Sequence, residues 1–304
     1  MSTIGIIGGT GFVGSHLTSL LTGQGYKVII FSRGKSQESG NPLINYAGFD
    51  YKKQLCDLDA LKQLDAIVNL AGAGVAEKRW SKKRKEEIVS SRVDNTKYLI
   101  SVLKEHAPGC KTFIAASATG FYGPDKPGEA PFTEGSAPFV DFLGTTCQEW
   151  EAATFSAKPF MRTVALRFGI VLGKESGAFL EFVKPMAWGI VPILGSGKQV
   201  VSWIEVTDLA RLISYALTNG KMEGIYNAVA PNPVTHKELI ETIAATKGGI
   251  KIPVPVPSMF LKILLGELSI EILKSCTVSA QKTLATGFSY QFPEIQGAVS
   301  HILQ

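Results

Sequence analysis

The chain has 304 residues, 45% of them hydrophobic and 19% charged, with a net charge of +5, so it can bury a sizeable core as one extended domain or two closely joined ones. The mild positive balance assists anionic ligands without demanding nucleic acid. Cys56, Cys110, Cys147 and Cys276 are scattered, with no CxxC pair and no histidine grouping, which argues against a disulfide framework or a zinc site.

The first element opens at the N-terminus, leaving no room for a signal peptide, and no uninterrupted apolar run reaches spanning length. A reduced, cytoplasmic setting with no membrane partner and no metal is therefore expected. Ile4 to Ile7 is an apolar run that breaks into Gly8-Gly9-Thr10-Gly11-Phe12-Val13-Gly14 and then into the helical pattern of Leu17, Leu20 and Leu21. Strand, glycine turn and helix start together form a dinucleotide-binding fingerprint. The first glycine makes the tight turn, the second lets backbone approach a pyrophosphate, and the third lets helix pack on strand. Gly8, Thr10, Gly11, Phe12 and Val13 are accordingly assigned to the cofactor; the alternative is a tight turn that holds no ligand.

The second strand, Lys27 to Phe31, ends in Ser32-Arg33, about twenty-five residues beyond Gly8. An NAD site usually carries Asp or Glu there to accept from the ribose 2′-hydroxyl. This chain has none. Arg33 offers a planar cationic donor set and Ser32 a hydroxyl, which suits a 2′-phosphate, so the cofactor is read as NADP(H). The alternative is a solvated loop arginine, because Lys35 follows in a Gly- and Ser-rich stretch.

Further along, Asp65 to Gly72 reads as a buried strand, Val93 to Leu103 as a helix, Lys111 to Ser117 as a strand and Val164 to Gly169 as another. Strands alternating with helices predict an α/β fold, a doubly wound parallel sheet of the Rossmann type, with ligands at the carboxyl ends of the strands. Those ends are Gly8, Ser32, the run Leu70, Ala71 and Gly72, and Ser117. The composition shifts at Pro231 and becomes proline-rich from Pro253 to Pro257. This predicts an NADP-binding domain over 1–230, with part of the substrate lobe inserted near 173–197, and a smaller C-terminal substrate lobe over 231–304.

The glycine fingerprint, Asn69-Leu70-Ala71-Gly72, Arg79-Trp80, Ser91-Arg92-Val93, Ser117 with Tyr122-Gly123, Arg167 with Gly169, Val171-Leu172-Gly173, Ser202-Trp203-Ile204 with Asp208, Asn227, Ala230 to Val234, and Gly287-Phe288 run from the first strand to the tail. Together they resemble an atypical extended short-chain dehydrogenase/reductase, of the branch labelled epimerase-family or cell-division-inhibitor-like. The resemblance implies an NADP(H)-binding domain with a C-terminal substrate lobe and no particular reaction. It points Arg92 toward the cofactor phosphates, adds Glu87 as a ribose contact, with solvent exposure as its alternative, and counts Ile170 among the cofactor-binding residues. One departure stands out: where the branch reads Trp-Ile-His, this chain has Trp203-Ile204-Glu205.

Ordinary members of the superfamily use a tyrosine and a lysine one helical turn apart to move a proton, and a serine to orient substrate. Ser117 fits the serine. The matching helix, Asp141 to Glu151, puts Leu143 and Cys147 at the tyrosine and lysine positions. A literal match, Tyr122-Gly123-Pro124-Asp125-Lys126, cannot place both groups on one helical face because Gly and Pro interrupt it. Ser117 and Tyr122 are therefore the catalytic candidates, Tyr122 as a pocket-shaping loop residue or a non-standard acid. Cys147, Asp141 and Glu134 could contribute a nucleophile or a base, or else be packed or solvated residues. The basic run Lys78 to Lys85 holds the single aromatic Trp80 and is read as a solvated helix opening rather than a nucleic-acid site. Two functions follow: an NADP(H)-dependent oxidoreductase or epimerase acting on a small polar substrate, nucleotide-linked or free, or a catalytically silent NADP(H)-binding protein that reports redox state. Oligomeric state is not encoded legibly.

Overall fold

The computed structural model describes residues 2–34, 39–174, 177–249 and 252–304. Lys35, which bears on the solvated-loop alternative for Arg33, lies outside them. From the N-terminus come β1 (Thr3–Ile7), α1 (Phe12–Gly23), β2 (Lys27–Ser32), β3 (Ile44–Asp50), β4 (Leu55–Cys56), α2 (Leu58–Leu61), β5 (Ala66–Asn69), α3 (Lys82–Ser90), α4 (Val93–His106) and β6 (Thr112–Ala118). A 3-10 turn at Thr119–Phe121 leads to α5 (Phe142–Phe155), β7 (Arg162–Phe168) and β8 (Ile170–Leu172). There follow α6 (Ala178–Met186), β9 (Ile190–Leu194), β10 (Val200–Val201), β11 (Trp203–Glu205), α7 (Val206–Thr218), β12 (Gly224–Ala228), β13 (Val234–Thr235) and α8 (His236–Lys247). The chain ends with β14 (Ile252–Val256), α9 (Ser258–Leu265), α10 (Leu268–Leu273), α11 (Gln281–Ala285) and α12 (Ile295–Leu303).

Eight strands form the main sheet in the order β12-β7-β6-β5-β1-β2-β3-β4. All its pairings are parallel except β3 with β4. The winding starts at β1, runs out through β2 and β3, and then returns to β5 on the other side. That reversal opens a crevice beyond the carboxyl ends of β1 and β5, the place where doubly wound sheets bind ligands.

Strand alternation divides the core. Ile6, Val28, Ile30 and Val68 pack with Leu17 and Leu21 of α1 and Leu209 and Ile213 of α7. Their neighbours Ile7, Ile29, Phe31 and Ile67 pack with Leu99 and Leu103 of α4. Period-two apolar runs buried on both sides are what a parallel sheet between two helix layers requires.

A further core joins Leu172, Phe179, Met186, Val191, Ile193 and Trp203 to Leu239, Ile240 and Ile243 of α8 and Val299 and Ile302 of α12. Three strands of the main sheet, β3, β4 and β12, lie outside the elements read from the sequence. The proline-rich segment, which the composition assigns to the C-terminal lobe, forms β14, paired in parallel with β9 alone. Pro253 and Pro255 lack an N–H to donate, and proline is tolerated in such a strand when one side needs no partner.

Candidate functional site

The turn after β1 is shaped by its glycines. Gly8 has φ +81°, a left-handed conformation that favours glycine, and a Cβ there would meet the Leu70 carbonyl carbon and oxygen at 3.2 Å. A Cβ on Gly14 would stand 2.3 Å from the Gly8 carbonyl oxygen and 2.6 Å from the Gly9 Cα, so Gly14 is the close-packing position of helix on turn. Gly11 differs: a Cβ there would meet only the Gly8 oxygen, at 3.2 Å. Gly11 is also the N-cap of α1, with no side chain capping the helix. The first-turn N–H groups of an α-helix have no partner within it, and at α1 no capping side chain supplies one. Thr10 and Gly11 are exposed beside them. Phe12 turns its ring away, toward positions where Cβ atoms on Gly173 and Gly177 would lie 2.4 Å and 3.9 Å from it. Phe12 and Val13 thus have their backbone, rather than their side chains, available to a phosphate.

At the end of β2, Ser32 is half-buried and Arg33 exposed. At the end of β5, Asn69 accepts from the Ala71 N–H at 3.2 Å and donates to Thr96 Oγ1 at 3.1 Å, where Trp150 also donates at 3.2 Å. The loop beyond is pinned at successive residues. Ser91 Oγ accepts from the Ala73 N–H at 3.0 Å, Arg92 Nη1 donates to the Ala73 and Ile88 carbonyls at 3.0 and 3.1 Å, and Trp80 Nε1 donates to the Val75 carbonyl at 2.9 Å. Arg84 Nη2 donates to the Gly74 carbonyl, and the same guanidinium pairs with Glu77 and Glu87. Arg92 Nη2 lies against Gly72, 3.2 Å from where a Cβ would stand, which brings a cation to the rim of the crevice. Glu87 is held by Arg84 at 2.7 Å, and its carboxylate is kept below its usual range by that contact. Ile170 is exposed, on β8.

The residues expected to do chemistry sit in a different setting. Ser117 on β6 and Arg167 on β7 are register partners, and both are buried. Ser117 Oγ donates to Glu151 Oε1 at 2.6 Å; Arg167 donates to the same carboxylate through Nε and Nη2, both at 2.7 Å. Arg167 Nη1 donates to the Tyr122 hydroxyl at 2.8 Å, and that hydroxyl donates to Asn227 Oδ1 at 2.7 Å. Asn227 is fixed in turn by its own N–H to Glu134 Oε1 at 2.8 Å and its Nδ2 to the Ser279 carbonyl at 3.1 Å. The guanidinium also lies 3.5 Å from the Phe121 ring centroid. Burial pushes the Tyr122 phenol up to about 12.

In this arrangement the two catalytic candidates, Ser117 and Tyr122, belong to one buried polar cluster with Glu151, Arg167 and Asn227. Both hydroxyls are buried and hydrogen-bonded to protein partners. Glu134 and Asp141 also have structural employment, Asp141 as the N-cap of α5, accepting from the Gly144 N–H at 2.7 Å.

On α5, Leu143 and Cys147 point at the turn following β6: a Cβ on Gly120 would lie 3.3 Å from Leu143 Cδ1 and 3.9 Å from Cys147 Sγ. Burial raises the Cys147 thiol to about 12, which disfavours the thiolate form. Lys126 is exposed and pairs with Glu129 at 3.3 Å, apart from the buried Tyr122 phenol. The departure at Glu205 is also explained: its carboxylate caps α7, accepting from the N–H groups of Thr207 at 2.6 Å and Asp208 at 3.1 Å. Sequence reasoning missed Glu151 and the centrality of Arg167. A charged residue inside the otherwise apolar Val164-Ala165-Leu166-Arg167-Phe168 was the available signal, since a buried arginine needs a buried partner.

Among the described residues no cluster of metal-ligating side chains is present, and no helix is long and apolar enough to cross a membrane. A cavity of about 810 Å³ lies away from the glycine turn, between α3, Phe142 and Glu267, and none of the expected cofactor residues lines it.

Comparison with known proteins gives the chain a family. The model of the NAD dependent epimerase/dehydratase family matches residues 4–228, and a domain of unknown function (DUF1731) matches 256–302. The epimerase family protein YfhF of Bacillus subtilis is 36% identical over 302 residues, 99% of this chain and 97% of that one. The crystal structure of human epimerase family protein SDR39U1 (isoform 2) with NADPH superposes with a TM-score of 0.86 at 30% identity, covering 99% of this chain and 98% of that one. UDP-glucuronic acid 4-epimerase from Bacillus cereus, solved with UDP-glucuronic acid and NAD, shares the fold with a TM-score of 0.81 at 20% identity, over 99% and 97% of the two chains. The chain belongs to the NAD dependent epimerase/dehydratase family and is an atypical extended short-chain dehydrogenase/reductase with a Rossmann-type sheet.

Proposed function

We propose that this epimerase-family chain is an NADP(H)-dependent oxidoreductase or epimerase that acts in the cytoplasm on a small polar, nucleotide-linked substrate. The observation that carries the reading is the uncapped start of α1 at Gly11, with Arg33 and no acidic residue at the end of β2. Free N–H groups at a helix N-terminus favour a pyrophosphate, and an arginine favours a phosphomonoester. The human relative, whose crystal structure was solved with NADPH, supports the same choice.

In this reading Gly8, Thr10, Gly11, Phe12 and Val13 hold the pyrophosphate through backbone, and Ser32 and Arg33 hold the 2′-phosphate. Leu70, Ala71, Gly72, Glu87, Arg92 and Ile170 border the remainder of the cofactor. When bound, NADP(H) supplies hydride exchange. Ser117 and Tyr122 keep the Arg167–Glu151 pair in place under the crevice, and the proton is not carried by the superfamily's tyrosine and lysine, because Leu143 and Cys147 stand at those positions.

That same substitution favours a second reading, a catalytically silent NADP(H)-binding protein. Calorimetric titration tests the cofactor: NADPH should bind more tightly than NADH, and equal affinities would defeat the assignment. Single-turnover oxidation of bound NADPH with a panel of ketones, together with interconversion of nucleotide-sugar epimers by the NADP+-loaded chain, separates the two readings: an oxidoreductase consumes the cofactor, an epimerase converts its substrate and regenerates the cofactor, and a silent binder does neither.

A further inference from the structure

The C-terminal lobe leaves an apolar surface uncovered. Of the eight residues of α9, only Leu261 is buried; Met259, Phe260, Ile263 and Leu264 are exposed, Met259 at 72%, and Ile270 on α10 joins them. Exposed apolar patches of this kind mark sites of association. What borders the patch identifies its partner. The turn between α9 and α10 is seated on the basic stretch: a Cβ on Gly266 would stand 2.9 Å from Arg79 Nε, and Lys85 pairs with Glu267. The neighbouring Lys82 and Lys83 of α3 are exposed, as is Lys262 within α9, and none of these three ammonium groups has an ion-pair partner among the described residues.

An apolar helix rimmed by unpaired cations is complementary to an anionic phospholipid surface, with side chains at the acyl boundary and ammonium groups at the headgroups. Lys262 suits it well, since its methylene stem can lie along the apolar face while its charge reaches the headgroups. A second copy of this chain would have to cover Lys82, Lys83 and Lys262 with matching carboxylates, whereas an anionic headgroup layer supplies negative charge along the whole face.

We propose that α9 and α10, with the start of α3, form a peripheral docking surface for anionic phospholipid. The expectation of no membrane partner rested on the lack of a spanning run; this surface lies on a membrane instead of crossing it. The inference is independent of the cofactor reading.

Flotation of the full chain with vesicles of phosphatidylglycerol and phosphatidylcholine, against phosphatidylcholine alone, tests it. Binding should require phosphatidylglycerol and fall at about 1 M salt, where charges are screened beyond roughly 3 Å. Phe260→Ser and Ile263→Ser should each weaken binding about tenfold or more, from the loss of apolar burial. Lys82→Glu with Lys83→Glu should weaken it by a further factor on the order of ten or more, from about 1 kcal/mol for each basic residue at an anionic surface. Far-UV circular dichroism should be unchanged in all these variants, because the altered side chains are exposed. Absence of flotation with anionic vesicles would overturn the proposal. So would equal binding to neutral vesicles, or a concentration-dependent dimer in light scattering that Phe260→Ser abolishes, which would assign the surface to a second copy.

Discussion

The crevice beyond β1 and β5 and the polar cluster at the ends of β6 and β7 lie along the same edge of one parallel sheet, yet they treat hydrogen-bonding groups in opposite ways. At the crevice, α1 begins without a capping side chain and Arg33 is exposed. In the cluster, Ser117, Tyr122, Glu151, Arg167 and Asn227 are buried, and their polar groups bond to one another. A protein that must bind an anion keeps donors in reserve, whereas one that must hold a charged pair inside its core satisfies them. The contrast separates ligand-binding capacity from scaffold, and it can be broken from either side.

The largest effect should come from the cluster. Arg167→Ala leaves the Glu151 carboxylate buried without its bidentate partner, and Glu151→Ala leaves the guanidinium so; each should cost roughly 3–5 kcal/mol of stability. Chemical denaturation followed by fluorescence measures this. A loss under about 1 kcal/mol in both variants would mean that the pair is solvated and the cluster is not the scaffold described.

A third region sharpens the comparison, because there one ring is buried with neither of its polar atoms satisfied. Both ring nitrogens of His236 lack a hydrogen-bond partner, the ring packs edge-on to Phe182, and burial lowers its pKa from 6.5 to about 4. Below pH 6.5 the unfolded chain takes up a proton that the folded chain refuses. Stability should therefore be complete above that pH and fall progressively down to about pH 4, by up to about 3 kcal/mol. Urea midpoints at pH 7 and pH 5 should diverge in the parent and converge in His236→Leu; an unchanged pH slope in the variant would show that another group carries it.

On the crevice side, Gly11→Val should spare the fold, since a Cβ there meets only one carbonyl oxygen at 3.2 Å. The side chain would occupy the phosphate's approach, so NADPH affinity should drop on the order of 10²-fold, the value of two charge-assisted hydrogen bonds of about 1.5 kcal/mol each. Gly14→Val serves as the contrast, because it drives a Cβ into backbone and should disrupt the turn itself. Retained NADPH binding in a folded Gly11→Val protein would make the fingerprint purely structural. Arg33→Asp acts on selectivity, removing about 1.5–3 kcal/mol from NADPH binding, tenfold to over a hundredfold, and reversing the preference for NADPH over NADH. Calorimetry that found the preference unaltered would place the 2′-phosphate elsewhere.

The two regions also differ in how far the sequence displayed them. The crevice is built from neighbours in the chain, Gly8 to Gly14 and then Lys27 to Arg33, so its strand, turn and helix signals sit within one short window. The cluster joins residues at separations of 16, 45 and 105, which no local periodicity reports, and only the charge within β7 hints at it. The same reason hid β12, whose residues join the sheet by tertiary pairing with β7. At β14 the prolines gave no strand signal, and the strand forms by pairing to a single neighbour. The Ser91-Arg92 and Arg79-Trp80 motifs were visible as a resemblance. Their physical use, fastening the loop beyond β5 and seating the Gly266 turn, became apparent only with partners in place.

The smallest effect concerns the literal Tyr-x-x-x-Lys match. Tyr122 and Lys126 begin and end it, but the structure sends them to opposite environments: the phenol is fully buried against Arg167 and Asn227, while the lysine side chain is 71% exposed and pairs with Glu129. An exposed ion pair contributes at most about 1 kcal/mol, and surface substitutions of this kind usually stay within about 0.5 kcal/mol. Lys126→Ala should therefore leave the unfolding midpoint, NADPH affinity and the single-turnover rate of NADPH oxidation close to those of the parent. Tyr122→Phe should lower stability, because it removes the acceptor of Arg167 Nη1 and the donor to Asn227, and it should alter the oxidation rate only insofar as the cluster shifts. If instead the rate collapsed in both Tyr122→Phe and Lys126→Ala while stability held, the loop would have to rearrange to bring phenol and ammonium together, and the division between a reserved crevice and a satisfied cluster would fail at that residue.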